Sequence, residues 1–306
     1  MDLKKPLSYD DQLKMLKAHG VVLDSSKEAE YRSILSEVNY YRLSGYALQF
    51  RLGANDSNYV KGTTFEQIYD IYKFDYDARQ MIRKYIEITE VYFRTQIAYN
   101  FALAKCQQAP HDQHYDRNNY FNQRGFDEVI NSFQKEKNYY KDSLIVKHHI
   151  QKYSSKMPLW VIVELMSFSN ISKLYNTMYY SEKDAIAIAA GTGRTMLENN
   201  LHCLSVLRNK CAHAARLYNT EFNPPATLPT TFLKKYPVVK NNSLFAYLLV
   251  LLRRLPNGKY KNEFAQDINE LIDKYAGKID LKLIGFPGNY SDILNEQIKN
   301  SSSTTK

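Results

Sequence analysis

Glycine and proline are scarce in this chain of 306 residues, which contains 11 and 9 of them. A turn-rich sandwich or barrel needs many of both at its hairpins, so the shortage argues against a β architecture and for helices. Cysteine is rarer still: Cys106, Cys203 and Cys211, with no C-x-x-C pair. Three thiols cannot all pair within one chain, and reduced cysteines of a cytoplasmic protein fit best. The longest apolar run, residues 244–252, is too short to span a bilayer and is followed by Arg253-Arg254. The opening M-D-L-K-K-P-L-S-Y-D-D lacks the apolar core of a signal peptide. Gly191-Thr192-Gly193 lacks the lysine and spacing of a phosphate-binding P-loop, which removes nucleotide binding there. The expectation is a cytoplasmic protein with no membrane partner and no cofactor.

What the chain has in excess is positive charge and tyrosine. Lys and Arg number 41 against 32 Asp and Glu, a formal charge of +9, which favours a polyanion as partner over an acidic protein target. The 26 tyrosines serve as core filler with a polar tip or as a stacking surface for bases. Hydrophobic residues at 44% and charged residues at 24% are ordinary for a globular protein, and the length allows one large or two small domains.

Apolar spacing of 3.6 residues and capping signals predict an all-α fold. Ser8 with Asp11 opens a helix over 9–19, and another runs over 27–39. The stretch 40–46 is expected to break at Ser44-Gly45. Thr63 with Glu66 starts a long helix to about 104, straight or bent near 75–77. Further helices are expected over 126–154, 159–169, 171–178, 181–190, 194–218, 243–255 and 261–275, with an extended Pro/Thr connection over 223–237. Helix 243–255 is apolar all round, which reads as buried, in one version at a subunit contact. Trp160, the sole tryptophan, reads as core. The organisation is an N-terminal helical region over 1–62, a helical core over 63–222, C-terminal helices over 223–300 and a disordered tail over 301–306.

One stretch departs from core chemistry. Residues 207–219 read L-R-N-K-C-A-H-A-A-R-L-Y-N, after a stripe of Leu201, Leu204 and Leu207 with Val206. Where a buried helix should continue in Leu, Ile and Ala, it delivers Arg208, Asn209 and His213. Asn209 and His213, at i,i+4, share a helix face; Arg208 would point roughly 140° from His213 on an ideal helix. These types suit phosphodiester cleavage in RNA. A histidine can take the proton of a ribose 2′-hydroxyl or supply one to the leaving oxygen. An arginine fork meets charge on phosphate oxygens, and an asparagine orients either. No metal is needed. The structural alternative is a helix end with a solvated arginine and a hydrogen-bonded core histidine.

Other candidates are weaker. Arg42, flanked by aromatics, is a buried anchor or an RNA contact. Glu87, Glu90 and Arg94, at i, i+3 and i+7, form salt bridges along a helix or a second layer positioning Arg208 or His213. Arg216 is a further supporting or RNA-contacting candidate. His111, Asp112, His114 and Asp116 have the types to bind a transition metal, but no further ligand motif accompanies them, so their loop reads as exposed and RNA-facing. His148-His149 reads as surface.

The stretch 207–219 resembles the R-x4-6-H motif of HEPN-type ribonucleases and, in more detail, the L-R-N-x-C-A-H-H-x-R-L-W-N signature of the abortive-infection family, AbiD/AbiF type. Lys5-Pro6-Leu7-Ser8 with Gln12-Leu13, N-Y-Y-R-L-S-G-Y over 39–46, Phe74-Asp75, I-E-I-T-E-V-Y-F-R-T over 86–95 and P-L-W-V-I-V-E-L-M-S-F-S-N-I-S-K-L-Y over 158–175 resemble the same family, in its order. Ala214 stands where the family often has a second histidine, Tyr218 where it has tryptophan, and Tyr76 where arginine is common. The resemblance implies a HEPN-like helical bundle with additional N- and C-terminal helices, and a metal-independent endoribonuclease toxin of phage defence. It implies a homodimer whose two motifs face each other, with an RNA substrate. The alternatives are a non-catalytic RNA-binding module, which senses infection or is held by a regulatory noncoding RNA, and a structural protein whose helices assemble with a toxin or phage component. Arg208 would stabilise phosphate charge, Asn209 orient, and His213 act as base or acid.

Overall fold

The computed structural model describes residues 5–302. It is all-α. Among the described residues the helices are α1 (Tyr9–Ala18), α2 (Glu28–Glu37), α3 (Tyr40–Tyr46), α4 (Phe65–Lys105), α5 (Gln123–Tyr139), α6 (Leu144–Lys152), α7 (Leu159–Leu165), α8 (Phe168–Thr177), α9 (Tyr180–Ala189), α10 (Arg194–Ala212), α11 (Thr230–Lys235), α12 (Leu244–Arg254), α13 (Gly258–Lys274) and α14 (Tyr290–Ser302). Extended pairing is limited to two isolated bridges, Val22 with Thr64 and Arg51 with Tyr59. None of the described helices is long and apolar enough to cross a membrane.

Side-chain caps set many of the helix starts. The Ser8 hydroxyl accepts from the Asp11 N–H at 3.2 Å, as its spacing predicts. The long helix is capped one residue later than expected. Thr64 Oγ1 accepts from the Gln67 N–H (3.1 Å) while Gln67 Oε1 accepts from the Thr64 N–H (3.0 Å), a reciprocal box. The stretch expected to break at Ser44-Gly45 is a short helix, because Asn39 Oδ1 accepts from the Tyr41 N–H at 2.7 Å and starts it. Residues 126–154 form two helices, with Ser143 capping the second.

The chain divides into two compact units, one of residues up to 78 with 270–280, the other of 79–269 with the residues from 281 on. The division falls inside α4 and α13. In the first unit Leu13, Leu16, Ile34, Leu35, Ile68 and Ile71 are buried. Tyr31 packs on Phe65 with ring centroids 4.4 Å apart, and the Tyr46 hydroxyl donates to the buried Asp75 carboxylate at 2.8 Å.

The second unit is built around α10. Leu197, Leu201, Leu204, Leu207 and Cys211 are buried, at spacings that form one stripe, and the helix packs on α8, α9 and α12. Helix α12 is enclosed by its own chain, since residues 244–252 are all buried without any partner molecule; the subunit-contact version of that expectation is corrected. Two helices were not foreseen: α11 inside the Pro/Thr connection, and α14, which packs on α12 through Ile293 and Leu294. Trp160 is 56% exposed and not core. Of the tail expected over 301–306, residues 303–306 lie outside the described residues, while 301 and 302 are the helical end of α14.

Candidate active site at the end of helix α10

Helix α10 stops six residues earlier than its pattern predicts, at Ala212 against 218. His213 is the C-cap, with φ −91° and ψ 14°. Ala214 then takes the left-handed conformation (φ 50°). Its N–H donates to the Cys211 carbonyl at 3.3 Å, and the Ala215 N–H reaches the Lys210 carbonyl at 2.8 Å. These two bonds are the Schellman closure, which satisfies carbonyls the helix end would otherwise orphan. The 140° divergence expected of Arg208 and His213 assumed a continuing helix, and His213 has left it. The imidazole is exposed, and among the described residues no group hydrogen-bonds its ring nitrogens.

Arg208 and Asn209 are held from two other helices. Glu90 of α4, 8% exposed, lies with Oε2 3.6 Å from Arg208 Nε, while its Oε1 accepts from Arg94 Nη2 at 2.6 Å. Arg94 also donates to the Met166 carbonyl at the end of α7 (2.8 Å) and faces Glu164 at 3.6 Å. Asn209 Nδ2 donates to Ser169 Oγ of α8 at 3.1 Å, and Asn209 Oδ1 is 3.5 Å from Arg208 Nη1, a long and weak contact. Burial raises the Glu90 carboxyl above the usual range, and Arg94 and Arg208 only partly offset it. Glu87, one turn earlier, is exposed and adds to that rise. Glu90 and Arg94 form the salt bridge along the helix that their spacing predicts, and Glu90 in addition faces the Arg208 guanidinium at its Nε.

Sequence inspection missed what supports the turn. Arg79, buried on α4, donates to the Ala215 carbonyl at 3.3 Å. Asn199 and Asn200 of α10 donate to the carbonyls of Pro225 and Thr227, both at 3.0 Å, anchoring the chain after the motif. Leu217 and Tyr218 are buried and Arg216 is half-buried. Arg42 is exposed on α3 in the first unit, so the buried-anchor reading does not hold.

Beside Arg94 and Glu164 opens a groove of about 650 Å³, lined by Tyr99, Leu103, Trp160, Val163 and His111 among others. Tyr99 and Trp160 are exposed along it. The loop at its far end is only partly exposed. His114 is buried, with Nε2–H donating to the Met157 carbonyl at 2.9 Å and Nδ1 3.6 Å from Cys106 Sγ. A carbonyl only accepts, which fixes the tautomer. Both ring nitrogens are thus engaged within the protein, and burial lowers the pKa of this histidine. Among the described residues no group of three His, Cys, Asp or Glu is arranged to hold a metal. His149 is likewise buried, its Nδ1–H donating to the Ile145 carbonyl at 2.8 Å, while His148 is exposed.

Glu90 and Arg94 come from residues 86–95, Ser169 from 158–175, and Arg208 and Asn209 from 207–219, so the three sequence stretches converge on one cluster. A family model described as Abi-like protein matches residues 33–219, which includes the whole cluster, and the chain belongs to that family. No curated protein and no solved structure matches.

Proposed function

We propose that this Abi-like protein is an endoribonuclease of an abortive-infection defence, cleaving RNA through the substrate's own 2′-hydroxyl. The observation that carries the reading is the α10 end, where an exposed, unpartnered His213 follows an Arg208 that Glu90 holds by its Nε. In the proposed step His213 takes the 2′-hydroxyl proton and the 2′-oxygen bonds to the adjacent phosphorus. The bond from phosphorus to the 5′-oxygen breaks, leaving a 2′,3′-cyclic phosphate, and the departing 5′-oxygen takes a proton to become a 5′-hydroxyl. Arg208 meets the charge on the phosphate oxygens, and Asn209, anchored on Ser169, limits where Arg208 can swing.

Base and acid are two roles, and each motif carries one histidine, because Ala214 replaces the second. A second copy facing the first across a two-fold axis would supply the other, so the working form is a homodimer. Trp160 and Tyr99, beside Arg94, give the strand a stacking surface.

Sequencing of RNA ends after expression of wild type and His213→Ala tests this. Cyclic-phosphate ends in wild type alone support it, and their absence from both favours the RNA-binding alternative. Cleavage should survive EDTA, and a single 2′-deoxy nucleotide at the cut site should block it. Cutting of the deoxy substrate would reject the mechanism.

A further inference from the structure

The apolar helix α12 ends in Arg253-Arg254, beyond the residues that the family model matches. Both arginines and Lys261 of α13 line one cavity of about 210 Å³, with Tyr92 of α4, the end of α9 and Gln297 of α14. Arg254 is 4% exposed. Its Nη1 donates to the Ala190 carbonyl at 2.9 Å, and its buried Nε has no hydrogen-bond partner. Arg253 Nη1 donates to Gln297 Oε1 at 2.6 Å. Among the described residues no Asp or Glu pairs with any of the three cations. Three carboxylates on the surrounding helices are engaged elsewhere: Asp184 by Arg194, Asp267 by Lys84, Glu296 by Lys235.

Buried charge is ordinarily paired, because desolvation of an isolated ion is costly. The cost registers in each group. Burial, with Arg253 alongside, pushes the Arg254 guanidinium down to about 10. Burial and then the two arginines lower the Lys261 ammonium, and burial lowers Arg253. A purely structural role accounts for one of the three: Arg254 on the carbonyl of Ala190, the C-cap of α9, is a favourable cation at a helix C-terminus. It does not explain why Arg253 and Lys261 converge on the same cavity. We infer that the cavity is a phosphate-binding site, in which Arg253, Arg254 and Lys261 take free phosphate or the phosphate of a small monoester. Arginine forks and a lysine ammonium suit a tetrahedral oxyanion. The volume lies below the roughly 300–1,000 Å³ of sites that enclose a whole drug-sized ligand. Exposed Ile188 and Asn300 at the rim leave the cavity open to solvent.

The test is thermal unfolding of the full chain in inorganic phosphate, in a 5′-mononucleotide and in its nucleoside, each against chloride at equal ionic strength. Wild type should melt higher in phosphate or mononucleotide, and the rise should grow with the logarithm of concentration. A rise in phosphate alone assigns the free ion; a larger rise with the mononucleotide, and none with the nucleoside, assigns a monoester. Lys261→Gln and Arg253→Gln should each weaken binding about ten-fold or more, the value of one charge-assisted contact. Arg208→Ala should keep the response, which separates this cavity from the α10 end and from the nuclease reading. No rise in wild type with either phosphate species overturns the site, as does a response lost in Arg208→Ala and kept in the other two variants.

Discussion

Helices α10 and α12 belong to the same unit, and both carry arginine near their C-terminal ends, but the two ends are solved differently. At the end of α10 the guanidinium is answered: Glu90 stands between Arg208 and Arg94, and the last carbonyls are closed by backbone N–H groups. At the end of α12 two arginines and a lysine share a cavity with no carboxylate, and the chain leaves through Leu255-Pro256 in extended conformation. An ion pair that fixes an arginine from behind leaves its front for a transient charge. A cluster with no acid keeps its electrostatic cost until an anion arrives.

The largest expected effect is on the α10 end. Arg208→Ala should reduce RNA cleavage by about 10²–10³, the worth of a preorganised donor. The same variant should fold, since the Arg208 side chain is 38% exposed. Parallel assays of cyclic-phosphate ends and far-UV circular dichroism check both halves, and loss of helicity would mean that the arginine is structural.

Next comes the acid. Glu90→Ala leaves Arg94 and Arg208 facing each other beside the α7 end, and should cost about 3 kcal/mol in urea unfolding, as when one partner of a buried pair is removed. Glu90→Gln should cost less. Because the folded pKa of Glu90 is raised, the native state holds its proton to higher pH than the unfolded chain. The contribution of Glu90 to stability is therefore full at acid pH and falls as pH rises from the ordinary glutamate range through the raised folded pKa. The stability gap between wild type and Glu90→Gln should narrow over that window; a gap that widens would break the assignment.

The other end should respond with the opposite sign. Lys261→Met removes a cation from a cluster without an acid, and in phosphate-free buffer should gain about 1 kcal/mol, the low end for replacing buried ionic groups by apolar ones. A loss of stability would mean that the ammonium has a partner, and the contrast between the ends would fail.

Local chemistry explains which parts were legible from sequence. The leucine stripe of α10 and the Ser8 cap of α1 are short-range patterns, and both stand where spacing puts them. Trp160 was misplaced because bulk and apolarity were taken for burial, whereas its position on α7 faces a groove. Helix α14 was missed because Ile293, Leu294 and Ile298 are few apolar positions in a polar stretch, and they gain meaning only against α12. The type and spacing of Arg208, Asn209 and His213 were legible. The Glu90–Arg208 pair and the Arg79 support join residues far apart in the chain, and no local period encodes them.

The smallest effect concerns how α10 stops. Ala214 sits at φ 50°, the position of a Schellman closure where glycine is usual, and an L-residue there costs roughly 1–2 kcal/mol. Glycine would relieve this, but its freer unfolded chain returns about 0.5–1 kcal/mol of that gain. Ala214→Gly should therefore stabilise the protein by about 0.5–1 kcal/mol, read as a higher urea midpoint at unchanged slope. Nothing at the α12 end should move, since its exit has no left-handed residue between Arg254 and Leu255. Cleavage should be kept, because the substitution alters neither the Arg208–Glu90 pair nor the His213 ring. If the midpoint rises and cleavage falls, the strained alanine is holding His213 in its working position, and the turn itself belongs to the site.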